Sequence, residues 1–346
     1  MTGRALFFSP DTNIPVGGIR KIYEYADALR RGGYDAQVVH ERRGFKGVDW
    51  FEHDVPVVHR KDITPRPDDV LVIPEVWGKC IPRIAPGLLK VVLSQNIYLA
   101  ADEHFTHEEV AAIVVVAEHS RRFSATAYPG KRIERIHNGI DPAEFYPRPK
   151  TKSVAFMPRK RRKQTELVLG ALERRGALAG WTVTPIDAVS ASETAKVLGE
   201  AHVFLSFSER EGFALPPLEA MASGCLVIGY DGQVGAECFQ DRWCFPVQDD
   251  DMLGFVETAE QVLQRFDVER DRFESMQEAA VAMVRAEYTP KRQDADVVRI
   301  FGSTLAAAAE RPVTPPAQFE RARIPPKAGP IVMRHLKDAA WIAMRR

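Results

Sequence analysis

Short, continuous apolar runs alternate with longer amphipathic stretches through the first half of the chain. The runs predicted to be strands are Arg4–Phe8, Ala36–His40, Val70–Ile73, Lys90–Ser94 and Ile113–Ala117. Continuous apolar character is typical of strands covered on both faces, because a strand with one solvated face would alternate. Gly18–Arg31, between the first two runs, is predicted to be a helix. Strands separated by helix-length segments indicate βαβ units around a parallel sheet.

The second half repeats this arrangement after a group of prolines at positions 142, 147 and 149. Further strands are predicted at Ser153–Met157, Trp181–Pro185, Val203–Phe207 and Cys225–Gly229, and helices at Gln164–Arg175, Leu215–Ser223 and within 250–286. The pattern predicts an α/β fold with two Rossmann-like, doubly wound domains, residues 1–147 and 148–288, facing across a cleft. Ligands of such sheets usually bind outside the carboxyl ends of the strands.

Charge and composition exclude several classes of protein. The 346 residues include 47 basic and 47 acidic side chains, so the zero net charge argues against a nucleic-acid-binding protein. We find no apolar run of about 18 residues that would predict a membrane-spanning helix and no secretion signal at the N-terminus. The four cysteines form no CxxC pair, so we expect a cytoplasmic protein with reduced thiols.

Two glutamates, Glu211 and Glu219, flank the start of the predicted helix Leu215–Ser223. Pro216 and Pro217 are tolerated there, because the first helical turn has N–H groups without intrahelical partners. Those free N–H groups form an anion site. An anion site between two carboxylates suits a ligand that carries both phosphates and hydroxyls, which describes a nucleotide sugar.

The segment Glu211–Gly224, Glu-Gly-Phe-Ala-Leu-Pro-Pro-Leu-Glu-Ala-Met-Ala-Ser-Gly, closely resembles the E-x7-E signature of the family 4 glycosyltransferases. His137–Pro142 resembles the Asn-Gly-Ile/Val-Asp element that these enzymes carry near their interdomain linker. The resemblance implies the GT-B fold and transfer of a sugar from a nucleoside-diphosphate sugar with retention of anomeric configuration. It also implies that no cofactor or metal is needed, and that a helix at 289–310 crosses back to the N-terminal domain.

The resemblance also assigns roles to residues of the second domain. Glu219 would bind the ribose hydroxyls, and Glu211 would approach the donor sugar. The donor would further contact the backbone of the turn between them, at Gly212, Phe213, Ala214 and Leu215.

Five consecutive cations, Arg159-Lys-Arg-Arg-Lys163, follow the strand Ser153–Met157. In the family an Arg and a Lys at this place stabilise the leaving diphosphate, and Arg159 and Lys163 match them by position. Lys160, Arg161 and Arg162 remain alternatives, as does a solvated basic run without a ligand. A charge clamp on a developing phosphate anion lowers the barrier by several kcal/mol, a rough magnitude.

In the first domain, Gly17 and Gly18 correspond to a glycine pair that approaches the donor phosphates in the family, and Arg20 would add a phosphate contact. Gln95 and Asn96 stand where many relatives carry His-Asp. Their amides can position sugar hydroxyls but cannot transfer protons at neutral pH. Glu118 and Glu237 are interpreted as structural, and His104 and His107 as part of a solvated helix start rather than a metal site.

The acceptor is open: a saccharide, a lipid carrier or a small metabolite. Two alternative functions also remain, a catalytically silent GT-B scaffold and a nucleotide-sugar 2-epimerase. The last segment, 311–346, is rich in proline and basic residues. It is predicted either to pack on the body of its own chain or to contact an anionic membrane surface.

Overall fold

In a computed structural model, which describes residues 3–96, 103–187, 189–233 and 235–311, the chain divides into two compact units. Unit 1 comprises Met1–Ile136 with the segment from Gln293 onward, and unit 2 comprises His137–Arg292. The boundary lies earlier than the one predicted after residue 147, because the segment before the prolines belongs to unit 2. There, the Ile140 N–H donates to the carbonyl of Tyr288 at 2.9 Å.

Unit 1 is built on seven parallel strands in the order β3-β2-β1-β4-β5-β6-β7. The strands are β1 Arg4–Phe8, β2 Asp35–His40, β3 Val57–His59, β4 Val70–Pro74, β5 Leu89–Ser94, β6 Val110–Val115 and β7 Ile133–Arg135. Phe7 belongs to the core on one face of the sheet, whereas Leu6 and Phe8 belong to the core on the other. Both faces are therefore covered, which explains the continuous apolar runs.

Two α-helices, α1 Gly17–Arg31 and α2 Glu118–Ala127, connect strands of this unit. Strands β3 and β7 were absent from the prediction because each has three half-buried residues and lies at an edge of the sheet. Strand β6 begins and ends earlier than predicted, at Val110 and Val115 rather than at residues 113 and 117.

Unit 2 has five parallel strands in the order β12-β11-β10-β8-β9. They are β8 Thr151–Phe156, β9 Thr182–Pro185, β10 Ala201–Ser208, β11 Leu226–Asp231 and β12 Cys244–Val247. The helices are α3 Arg162–Arg174, α4 Ala191–Glu200, α5 Leu215–Ala222, α6 Met252–Arg265 and α7 Arg270–Glu287. Every residue of the central strand β10 is buried. Together the two units confirm the predicted α/β fold with two Rossmann-like domains.

The predicted helical stretch 250–286 is divided into α6 and α7 by a break after Arg265. Phe266 turns into the core at this break, with its ring 5.1 Å from that of Trp181 and 5.6 Å from that of Phe273. Phe266 keeps helical dihedrals, with φ −53° and ψ −47°, and lies three residues after the buried Leu263, so its ring continues the buried face of α6.

The last described helix, α8 Pro290–Ala309, carries the chain from unit 2 into unit 1. Val297, Ile300, Phe301 and Leu305 of this helix are buried in the same core cluster as Phe7. Apart from Arg311, the predicted tail 311–346 lies outside the described residues. Packing on the body of the chain and contact with a membrane surface therefore both stay predictions. No described helix is long and apolar enough to cross a membrane.

Candidate active site

The carboxyl ends of β8, β10 and β11 lie side by side at one edge of the unit 2 sheet, because β10 pairs with both of the other strands. The segments that leave these strands contain the predicted cations, the predicted Glu211 turn and the loop at Gly232. Loops at this edge of a parallel sheet are where ligands usually bind.

Lys160 and Glu211 form an ion pair at this edge, with 2.5 Å between Nζ and Oε1. The two side chains are 30% and 11% exposed, respectively. The Glu211 N–H donates to the carbonyl of Gly232 at 3.2 Å, which ties the turn after β10 to the loop after β11. Lys160, which the sequence left as an alternative among the five cations, thus pairs with Glu211.

The backbone on both sides of this hydrogen bond has a left-handed conformation. Arg210 has φ +39° and Gly232 has φ +72°. A non-glycine residue in this region carries strain, and such strain is often found at functional sites. At Gly232, a Cβ atom would lie 3.1 Å from the Cβ of Ser208 and 3.4 Å from the Cγ of Glu211, so glycine allows the loop to approach the Glu211 turn closely.

Arg161 has a structural position instead. Its side chain is 6% exposed and pairs with Asp249 and Asp250, and its guanidinium carbon lies 4.6 Å from the centroid of the Tyr230 ring. Arg159 and Lys163 are both exposed, before α3 and in its first turn, respectively. Their assignment to the leaving diphosphate stays a prediction.

Replacing Arg161 with methionine is expected to lower the free energy of unfolding by about 2 kcal/mol, because Asp249 would lose a buried partner. The midpoint of urea unfolding measures this loss. Arg159→Met is the matched control, since the exposed Arg159 side chain should contribute less than about 0.5 kcal/mol. Equal midpoints for the two variants would contradict the structural position of Arg161.

Helix α5 begins directly after the Glu211 turn. Ala214 is its N-cap and makes no side-chain hydrogen bond, and prolines occupy its first turn. Gly212, Phe213 and Ala214 are buried, Leu215 is the first helical residue and Glu219 lies in the second turn. The predicted donor-binding segment therefore leads into the N-terminal end of a helix, where the helix macrodipole favours an anion. Pro216 and Pro217 carry no N–H, and the Leu215 N–H donates to the Phe213 carbonyl at 3.1 Å.

The ring of Tyr288 packs against that of Phe213, with 5.6 Å between the two ring centroids. The Tyr288 hydroxyl donates to Glu237 Oε1 at 3.3 Å and lies 3.0 Å from Cys238 Sγ. Glu237 is thus bound to Tyr288, in keeping with its interpretation as a structural residue.

In unit 1 the structure brings together two of the predicted residues. The Gln95 side-chain Nε2 donates to the Gly18 carbonyl at 2.8 Å, so Gln95 holds the glycine turn at the start of α1. Gly17 is exposed at that start. Arg20 donates to Glu24 Oε1 at 2.7 Å and lies over the Phe51 ring. The side chain that was predicted to contact a phosphate is therefore paired with Glu24 in this structure.

Sequence reasoning missed Glu75, which follows β4 directly. It is 7% exposed, and burial raises its pKa to about 7. Hydrogen bonds from its own N–H and from the backbone N–H groups of Gln95 and Asn96 act in the opposite direction and lower the pKa. The signal in the sequence is an acidic residue immediately after an apolar strand, at the carboxyl edge of the sheet.

Among the described residues, no group of three or more His, Cys, Asp and Glu side chains is arranged to hold a metal ion. His104 belongs to the short 3-10 helix Glu103–Thr106, and His107 follows it. Glu118 pairs with Arg121 at 2.7 Å, an arrangement that fits its interpretation as a structural residue.

Residues 155–265 match the family described as Glycosyl transferases group 1. The matched range lies within unit 2 and contains the Lys160–Glu211 pair and Glu219. An alpha-1,6-glucosyltransferase of Actinobacillus pleuropneumoniae serotype 7 is 29% identical over 192 residues, which are 51% of this chain and 57% of that protein. The alignment thus spans little more than half of the length of this relative.

Solved structures extend the likeness to both units. Sucrose-phosphate synthase from Thermosynechococcus elongatus has a TM-score of 0.66 at 15% identity and covers 89% of this chain and 100% of its own. A glycosyltransferase from Rickettsia africae has a TM-score of 0.62 at 13% identity, with 90% and 100% covered. Anabaena HepE, solved with UDP and glucose, has a TM-score of 0.59 at 13% identity, with 88% and 100% covered. These likenesses confirm the predicted GT-B fold.

Proposed function

We propose that the protein is a glycosyltransferase that moves a sugar from a nucleoside-diphosphate sugar to an acceptor hydroxyl with retention of anomeric configuration. The observation that carries the proposal is the Lys160–Glu211 pair at the carboxyl edge of the unit 2 sheet, directly before the N-terminal end of α5. A cation, a carboxylate and the positive end of a helix macrodipole suit a sugar diphosphate, which carries both negative charge and hydroxyls.

The ion pair supplies a cation for the diphosphate and a carboxylate for the sugar, and each can exchange its present partner for the donor. When a diphosphate enters, Lys160 can leave Glu211 for a phosphate oxygen, which frees the carboxylate for the sugar. Arg159 and Lys163 add positive charge on the same segment, and the backbone at Gly212–Leu215 contacts the donor. Charge on the leaving diphosphate is then neutralised by groups that are already in place, which stabilises the transition state.

The reaction balances without a separate base. The bond between the anomeric carbon and the diphosphate oxygen breaks, and the bond between the acceptor oxygen and the anomeric carbon forms on the same face. The acceptor proton passes to the departing phosphate oxygen. Glu211, in this scheme, stabilises the positive charge that develops on the sugar ring, and Glu219 orients the nucleotide through its ribose hydroxyls.

UDP-glucose is the donor that we propose to test first, with a saccharide hydroxyl as the acceptor. The support comes from the relative named an alpha-1,6-glucosyltransferase and from the structure of HepE with UDP-glucose, which has a TM-score of 0.59. A lipid-linked sugar and a small metabolite are the other acceptors to compare. We propose that neither a metal nor a cofactor takes part, so activity should persist in the presence of EDTA.

The first experiment measures the thermal unfolding temperature of the purified protein with UDP, GDP, ADP, TDP and their common sugars, without added metal. A rise with one nucleotide and its sugars supports the donor site and identifies the base. Product analysis with that donor then separates transfer to an acceptor from hydrolysis and from 2-epimerisation. No rise with any nucleotide at millimolar concentration would contradict the proposal and favour a silent scaffold.

Glu219→Gln is expected to weaken binding of the nucleoside diphosphate by about tenfold or more, because a charged acceptor of ribose hydrogen bonds is lost. Isothermal titration calorimetry with the free nucleotide measures the dissociation constant. Glu166→Gln is the control, since Glu166 is exposed on α3 within the same unit. Equal nucleotide affinity in the two variants would remove Glu219 from the ribose site.

A further inference from the structure

Glu75 lies where three parts of unit 1 meet, and the proposed reaction leaves it unused. It follows β4, which pairs with β1 on one side and with β5 on the other. Residue 75 therefore lies at the centre of the carboxyl edge of the sheet, beside the segment Ser94–Asn96 that follows β5. The chain after β1 leads at this same edge to the glycine turn of α1.

The contacts form a continuous path between these parts. The backbone N–H groups of Gln95 and Asn96 donate to the Glu75 carboxylate. The Gln95 side chain in turn donates to the Gly18 carbonyl at 2.8 Å. A Cβ atom at Gly18 would lie 3.4 Å from Gln95 Nε2, so the glycine turn and the Gln95 amide are in close contact.

We propose that Glu75 is a positioning residue for sugar transfer, whose carboxylate holds Gln95 and Asn96 in place and, through Gln95, the Gly17–Gly18 turn. The inference rests on the proposed function, because the predicted roles of Asn96 and of the glycine turn in substrate binding hold only if the protein is a glycosyltransferase. The carboxylate oxygens accept both N–H groups, whereas a protonated carboxyl directs its own O–H toward one of them and loses that bond.

The surroundings of Glu75 make the hydrogen bonds of its carboxylate sensitive to pH. Burial and three backbone N–H groups set its pKa, at about 7, and no charged side chain of the described part of the chain contributes to it. On the described elements packed against its segment, the titratable groups are Lys90 on β5 and Glu103 and His104 on the 3-10 helix. Lys90 is bound to Glu109, near the opposite end of β5, and Lys79 on the segment of Glu75 is exposed.

The experiment records kcat and KM for sugar transfer between about pH 5.5 and about pH 8.5 in wild type and in Glu75→Gln. In wild type, kcat should rise through a midpoint near pH 7 as the carboxylate forms. In Glu75→Gln that rise should disappear, and kcat at high pH should fall by about tenfold or more, because a small displacement of positioned groups is costly. Glu103→Gln, an exposed carboxyl on the adjacent 3-10 helix, should keep the wild-type profile.

A second measurement needs no substrate and therefore separates this inference from the proposed function. The backbone amide resonances of Gln95 and Asn96 should titrate near pH 7 in the wild-type protein and should stay constant in Glu75→Gln. Constant resonances in wild type would overturn the inference even if transfer is found. A wild-type protein that transfers no sugar, yet shows the amide titration, would retain the Glu75 contact while refuting the glycosyltransferase proposal. If kcat of Glu75→Gln still rose with pH as in wild type, the role of Glu75 as a positioning residue would also be overturned.

Discussion

Glu211→Gln is expected to lower kcat for sugar transfer by about 100-fold or more while the protein stays folded. Glutamine has nearly the same shape but carries no charge, so it cannot stabilise the positive charge that develops on the sugar ring. Removal of one preorganised electrostatic group in other enzymes costs about 100- to 1000-fold in kcat. Steady-state rates with the donor found in the thermal screen measure the effect, and Glu209→Gln, two residues earlier in the chain, is the matched control.

The ion pair with Lys160 needs to be separated from this effect, because its loss alone changes stability. Glu211→Gln leaves Lys160 without its partner, whereas Lys160→Met together with Glu211→Gln removes both charges. A double-mutant cycle on unfolding free energies gives the contribution of the pair, which we expect to be about 1 kcal/mol or less at this partly exposed site. If the double variant recovered both stability and activity, Glu211 would be only a structural partner of Lys160.

The unfolding free energy of wild type is expected to fall by about 2 to 3 kcal/mol relative to that of Glu75→Gln between about pH 5 and about pH 8. The ordinary pKa of a glutamate is 4.5, and the folded protein raises the pKa of Glu75 to about 7. Between these values the folded state holds the proton more tightly than the unfolded chain does. The stabilisation is therefore complete below the unfolded pKa and is lost as the pH rises through the folded pKa.

Urea unfolding of both variants at several pH values gives the difference curve, in which the titrations of all other groups cancel. Glu103→Gln should run parallel to wild type over the whole range, because its exposed carboxyl has no buried charge to lose. A flat difference between wild type and Glu75→Gln would show that the Glu75 carboxyl titrates normally. A buried carboxylate that costs stability at neutral pH is better explained by function than by packing.

The fold was predictable from the sequence wherever strands are long and fully covered. The predicted range of β1 agrees with the structure, and β10 was found within one or two residues at each end, because continuous apolar runs reflect burial on both faces. Strands β3, β7 and β12, which have three or four residues and lie at sheet edges, were missed, whereas the equally short edge strand β9 was predicted. The break between α6 and α7 was not predicted, because residues 250–286 contain no proline that would indicate it.

The candidate site was predictable to the level of segments but not of individual side chains. Glu211 and Glu219 could be selected because a helix start with prolines fixes their surroundings. Among five adjacent cations, by contrast, the sequence does not tell which side chain points to Glu211 and which is buried, as Lys160 and Arg161 show. Glu75 was missed because its pKa depends on burial and on N–H groups about 20 residues away, which pair with it only in the folded sheet.

The segment that completes the core of unit 1 is separated from the rest of that unit by all of unit 2. During synthesis, the first 136 residues leave the ribosome without Ile300, Phe301 and Leu305, which fill the core beside Phe7. Unit 2 is contiguous and can complete its own core earlier. We therefore expect the usual order of folding, N-terminal domain first, to be reversed here, with the N-terminal sheet remaining open until α8 has been made.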